Sequence, residues 1–245
     1  MELVSQHNHT GLTGHGEGTI EQLITQASKL GMTNVAVTEH YPLSKEIDPP
    51  NYISMPWSLL GTYKQQILEE RAKHPEMEIL VGCELDWLGE DEDREFAPDQ
   101  FDDFDIILGS VHYLDLWPFD DPAQRGHWEE VGARHIWDRY FEVWCQAVTS
   151  SAPFTVMAHP DLVKKFNIYP EGDWKKYYAQ AAEAAHAGNR MIEVNTSGLH
   201  YACEEMFPQQ DLLREFCKAG IPCTIGSDAH TALHVNRGIV EGYRY

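Results

Sequence analysis

Read along the chain, short apolar runs recur, each followed by a polar residue and then by a longer stretch with apolar positions three or four apart. The runs at 3–4, 34–38, 79–83, 106–111, 154–158, 191–194 and 222–226 have the length and branched-residue content of strands. Between them the spacing predicts helices. The clearest covers 19–30, where Ile20, Leu23, Ile24, Ala27 and Leu30 share a face, Thr19 and Gln22 suit a capping box and Gly31 can close the end. Further helices are expected from Ser58 onward, over 129–148, over 173–187 and over 212–219. In the 129–148 helix, Ile136, Tyr140, Val143, Trp144 and Ala147 fall at helical spacing and are assigned to the core.

Seven alternations of strand and helix, with no repeat and no linker, predict one parallel β/α domain spanning 1–245. The residues just past each run favour a closed barrel over an open sheet. They are His7 and His9, His40, Glu84, His112, His159, Asn195, and Asp228 with His230. Chemistry-capable side chains thus follow every strand, whereas an open sheet would collect them at one switch point. His7 and His9, two apart, would project to the same side. Imidazoles and carboxylates gathered on one rim without a cation would repel and leave lone pairs unsatisfied, so the set predicts a metal cluster. His74, His127, His135, His186 and His234 lie away from strand ends and are read as surface residues.

Composition narrows the partners. Hydrophobic residues make up 42 % of the 245 positions, as in an ordinary globular protein. Eighteen Lys and Arg against 39 Asp and Glu give a formal charge of −21, which disfavours nucleic acid as a partner. A small phosphate ester would also be repelled unless bound cations reversed the field locally. Much of the excess lies between Asp86 and Asp105, read as a solvated acidic loop. No run reaches membrane-spanning length and no leader precedes the first strand, so no membrane partner is expected. Five scattered cysteines without a C-x-x-C pair suit reduced thiols and a cytoplasmic location.

Taken together, several motifs resemble the polymerase-and-histidinol-phosphatase (PHP) superfamily. They are H-x-H at 7–9, G-H-x-E at 14–17, T-E-H at 38–40, G-x-E at 82–84, S-V-H-Y-L at 110–114, H-P-D-L-V-K-K-F at 159–166, N-T-S-G-L at 195–199 and G-S-D-A-H at 226–230. The stretch 110–118 is similar to its histidinol-phosphate phosphatase branch. The resemblance implies a distorted seven-stranded TIM-like (β/α)7 barrel with two or three zinc, iron or manganese ions. By motif, His7, His9, Glu84 and Asp228 would bind the first metal. Glu84 would bridge to a second held by His112 and His159, and His15, His40 and His230 would hold a third. It further implies hydrolysis of a small phosphate monoester, most simply L-histidinol phosphate in histidine biosynthesis. A hydroxide generated at the metals would attack phosphorus without a phospho-enzyme, with Asp228 or His230 managing the leaving-group proton.

Substrate contacts are expected from Lys164 and Lys165 toward phosphate, from Glu17 toward a cationic amine, and from Asn195 and His200. Three features depart from the family pattern. Ser5 stands where the family usually has Asp, His200 stands where the branch tends to have Arg, and only fifteen residues follow His230. They leave open another small ester, such as a nucleotide or sugar phosphate. A non-catalytic metal-binding module is opposed by the complete ligand set, and a polymerase-associated one by the absence of a polymerase region. An amidohydrolase is opposed by the lack of a bridging Lys at any strand end.

Overall fold

The computed structural model describes residues 2–89 and 99–245. Seven parallel strands form the sheet in the order β1 (Val4–Ser5), β2 (Asn34–Val37), β3 (Glu78–Asp86), β4 (Ile106–Ser110), β7 (Val156–Met157), β8 (Met191–Asn195) and β9 (Cys223–Gly226). A two-stranded hairpin, β5 (Tyr113–Leu114) with β6 (Trp117–Pro118), interrupts the alternation after β4. The sheet closes on itself through backbone hydrogen bonds. Gln6 N donates to Ile225 O at 2.9 Å, Asp228 N to His7 O at 2.9 Å, and His9 N to Ala229 O at 2.7 Å. A near-closed α/β barrel of seven parallel strands results, as expected.

The helices are α1 (Ile20–Lys29), α2 (Leu60–Lys73), α3 (Arg125–Val131), α4 (Ala133–Thr149), α5 (Tyr177–Gly188), α6 (Gln210–Lys218) and α7 (Ile239–Gly242). Thr19 caps α1 with both halves of the predicted capping box. The helix expected over 129–148 is in fact two, because Gly132 adopts φ +88° and breaks the ladder between α3 and α4. A 3₁₀ turn, Trp57–Leu59, leads into α2.

The largest apolar cluster lies outside the barrel wall, where Trp137, Tyr140, Phe141 and Trp144 of α4 meet Tyr177 and Tyr178 of α5 and Phe216 of α6. Phe141 stacks on Tyr177 with ring centroids 4.9 Å apart. The aromatic residues of 129–148 are therefore core. Positions 90–98 of the expected acidic loop lie outside the described residues, and its two ends are not solvated filler. Asp86 is 3 % exposed within β3. Asp105 accepts from Val81 N at 2.8 Å and pairs with Arg71. Among the described residues no helix is long and apolar enough to cross a membrane.

Candidate metal centre

All seven strands run the same way, so the residues past their C-terminal ends meet on one rim. Glu84, in β3 and 1 % exposed, stands at its centre. Its Oε2 lies 3.2 Å from His7 Nε2, 3.3 Å from His9 Nε2 and 3.3 Å from His40 Nδ1. Its Oε1 lies 3.0 Å from His159 Nε2 and 3.6 Å from His112 Nε2. Five imidazoles from four strand ends thus face one carboxylate. Asp228 Oδ1 completes a fourfold set, 3.6 Å from His7 Nε2 and 3.5 Å from His9 Nε2. His7 and His9 Nε2 are themselves 3.1 Å apart.

Those separations fit a shared cation. Nitrogen and oxygen donors about 2.0–2.2 Å from a tetrahedral ion stand about 3.3–3.6 Å from one another. Among the described residues, the side chains that could close on an ion fall into four overlapping groups: His7, His9, Asp228; His7, Glu84, His159; His40, Glu84, His112; and His9, His40, His230. His15 stands at the mouth, its ring centroid 4.4 Å from His230 and 5.1 Å from His40. The buried His9 Nδ1, His40 Nδ1, His159 Nδ1 and His230 Nε2 have no hydrogen-bond partner among the described residues.

Protons can take the place of cations here only in part. Burial and the neighbouring imidazoles push His40 and His230 down from their ordinary range. Burial opposes charge on His7 and His9 as well, but the surrounding carboxylates raise both. Burial also opposes ionisation of Glu84 and Asp228, yet the ring of imidazoles holds both carboxyls well below their usual range. Ionised carboxylates among imidazoles that cannot all be protonated form a site suited to multivalent cations.

The outer layer contains residues that sequence reasoning passed over. Glu39 accepts from Thr10 N at 2.6 Å and Thr10 Oγ1 at 2.5 Å, and approaches His9 Nδ1 at 3.8 Å. Asp86 Oδ1 meets His112 Nδ1 at 2.7 Å, and Ser110 Oγ donates to Glu84 Oε1 at 2.5 Å. Glu193 Oε1 meets His7 Nδ1 at 2.9 Å. Strand parity carried the signal: Asp86 is two residues beyond Glu84, and Glu193 two before Asn195, on the same faces. Ser5 does not reach the ligands. Its Oγ joins Asn8 Oδ1 and Ser227 Oγ, both at 3.1 Å.

Of the expected substrate contacts, Lys164 is corrected. It is 0 % exposed and its ammonium is spent on Asp161 at 2.8 Å and on Met206 O at 2.7 Å, which pins the segment before α6. Lys165 is the member of the pair beside the pit, bonded to Asp120 at 2.8 Å and over the Tyr201 ring. Asn195 is fully buried, and it donates to Glu193 at 3.1 Å and Asp228 at 3.4 Å. His200 is exposed at the end of the turn after β8. Glu17 is exposed, its N–H donating to His230 O at 2.8 Å, and it borders a groove of about 820 Å³ between α1 and residues 231–233. His74 and His127 pair with Glu76 and Glu130 away from the rim.

Known proteins share this sequence and shape. A protein of Deinococcus radiodurans named "Probable histidinol-phosphatase" is 31 % identical over 93 % of this chain and 86 % of its own length. A protein of the same name from Schizosaccharomyces pombe is 25 % identical over 93 % of this chain and 80 % of its own. Among solved structures, Listeria monocytogenes hisK superposes with a TM-score of 0.88 at 22 % identity, covering 97 % of this chain and 99 % of that one. The Lactococcus lactis histidinol phosphate phosphatase, solved with zinc, L-histidinol and phosphate, gives 0.74 at 21 % identity over 98 % and 93 %. The PHP domain family model matches residues 5–197, and the chain belongs to the PHP domain family.

Proposed function

We propose that this protein is a metal-dependent phosphoric monoester hydrolase that converts L-histidinol phosphate to L-histidinol and phosphate. The observation that carries the reading is Glu84, whose two oxygens face His7, His9 and His40 on one side and His159 and His112 on the other. A carboxylate so placed suits a bridge between neighbouring cations, the arrangement used for displacement at phosphorus. His7, His9, Glu84 and Asp228 would hold one ion, Glu84 with His112 and His159 a second, and His40 with His230 and His15 a third. Nitrogen and carboxylate donors suit zinc, iron or manganese alike. When bound, such ions lower the pKa of a coordinated water and offset phosphoryl charge.

The chain's own residues supply the rest. Asp228 Oδ2 accepts from Ser197 Oγ at 3.2 Å and from Asn195, which fixes Oδ1 toward the pit. This orientation supports Asp228 as the group that would take the proton of the attacking water and return it to the departing alcohol. His230 Nδ1 sits 3.0 Å from Asp228 O, so the ring presents Nε2 as a lone pair, suited to a ligand and unsuited to a proton donor. Lys165 sits where a phosphoryl oxygen could share its ammonium with Asp120. Glu17 and Glu21 line the groove between α1 and residues 231–233 and suit the cationic end of histidinol.

The test is phosphate release by metal-loaded protein across a panel of histidinol phosphate, nucleoside monophosphates and sugar phosphates. Histidinol phosphate should have the highest kcat/KM. A clear preference for another ester overturns the substrate, and inactivity toward every ester at full metal loading overturns the activity. Acid-quenched turnover of phosphorus-labelled ester should leave the protein unlabelled; a labelled side chain overturns direct attack.

A further inference from the structure

Glu193 belongs to none of the four candidate ion-holding groups, is 1 % exposed and has no Lys or Arg partner among the described residues. A buried carboxylate without a cation is costly unless its oxygens are fully engaged. Here they are divided between two ligand-bearing segments. Oε1 meets His7 Nδ1 at 2.9 Å, while Oε2 accepts from the backbone N–H of His159 at 3.0 Å and from Asn195 Nδ2 at 3.1 Å. His159 holds φ +28°, a conformation that a non-glycine residue keeps only under external restraint. One carboxylate therefore orients the His7 ring and clamps the backbone beneath His159, and both imidazoles face Glu84.

The barrel wall makes room for this contact. On β9, a Cβ added to Gly226 would lie 2.1 Å from Glu193 Oε1 and 2.5 Å from His7 Cβ. The absence of a side chain at 226 is thus a physical requirement for Glu193 to reach His7. With Oε1 accepting the His7 Nδ1 proton, Nε2 keeps its lone pair toward Glu84 and Asp228.

We propose that Glu193 is a positioning residue that sets cation affinity on both sides of Glu84, at the position His7 serves and at the position His159 serves, with Gly226 as its socket. The proposal rests on the ligand assignment given above, but its readout does not depend on the substrate or on turnover. Outer-layer partners of ligating imidazoles typically govern about 10–100-fold in metal affinity. Glu193→Gln keeps the volume but turns one arm into an NH₂ that only donates, so the His7 Nδ1–H and the His159 N–H can no longer both be accepted.

The experiment is zinc binding by competition with a chelating chromophore, paired with the visible spectrum of the cobalt-loaded protein. Wild type, Glu193→Gln, Glu193→Asp and Gly226→Ala are compared, with far-UV circular dichroism as the check on folding. Glu193→Gln and Gly226→Ala should each weaken the tightest zinc step about 10–100-fold and alter the cobalt bands, and excess zinc should restore the bound state. If Glu193→Gln does not fold, Glu193→Asp and Gly226→Ala decide the same question. Zinc affinity within twofold of wild type and unchanged cobalt bands in the folded variants overturn the proposal. Failure of the ester panel would leave this result standing, because the assay reads metal alone.

Discussion

Two fully buried regions lie on opposite sides of the barrel wall, and they are stable for opposite reasons. The aromatic cluster around Trp137, Tyr140, Phe141 and Trp144 gathers rings whose removal from water is itself favourable. The pit around Glu84 gathers His7, His9, His40, Glu39, Glu193 and His159, each at most 4 % exposed, and its charges are tolerable only with partners. One region is a source of folding free energy and the other a draw upon it. Tyr140 touches both, its hydroxyl accepting from Leu162 N at 3.1 Å and reaching His159 O at 3.4 Å.

The contrast is open to direct attack. Glu84→Gln should have the largest effect: removing the charge that five imidazoles share should lower kcat by more than about 100-fold, beyond the range of outer-layer substitutions. Circular dichroism should remain native-like, and phosphate release together with metal analysis makes the check. Trp144→Ala strikes the other region and should cost about 3–5 kcal/mol in urea unfolding, with metal content per folded molecule unchanged. A parallel loss of metal would show that the two regions are not separable. Chelation should lower the melting temperature, by the equivalent of about 2.7–4.1 kcal/mol where free ion had stood at 100–1,000 times its Kd. A melting curve indifferent to chelator would mean that the pit is self-sufficient.

The smallest expected effect concerns Lys165. Lys165→Met should raise KM about tenfold through loss of one charge-assisted contact, with kcat little changed. It also bears on pH. Burial opposes charge on Asp120, but the Lys165 ammonium brings its carboxyl below the ordinary value. A depressed carboxyl stabilises the fold above its unfolded value, about 3.9, and that contribution is lost as pH falls through the folded value. Without Lys165 the folded value rises, so the acid limb of the stability profile should move to higher pH, as acid titration followed by circular dichroism would detect.

The same contrast explains what was legible beforehand. Strand ends were readable because parallel strands leave their functional residues at one end, and α1 because Thr19 and Gln22 announce its start. The β5–β6 hairpin was not, since its turn places Asp115 and Leu116 at φ +52° and +65° without the Asn-Gly or Asp-Gly that signals such turns. The break at Gly132 was hidden by apolar spacing that continues across it. Asp86 was read as part of an acidic surface run, although its place two residues beyond Glu84 turns it inward. Lys164 and Lys165 are identical in type and adjacent, and only the packing of Met206 and Asp161 around the first distinguishes them.

The seam between β1 and β9 has a consequence for how the molecule comes into being. His7 O and Asp228 N, 221 residues apart in sequence, are joined by one hydrogen bond there. During translation, a nascent polypeptide would carry His7, His9 and Glu84 long before Asp228 and His230 emerged from the ribosome. On the proposed ligand assignment, full ion loading would await the last strand, and earlier fragments would offer only an incomplete donor set.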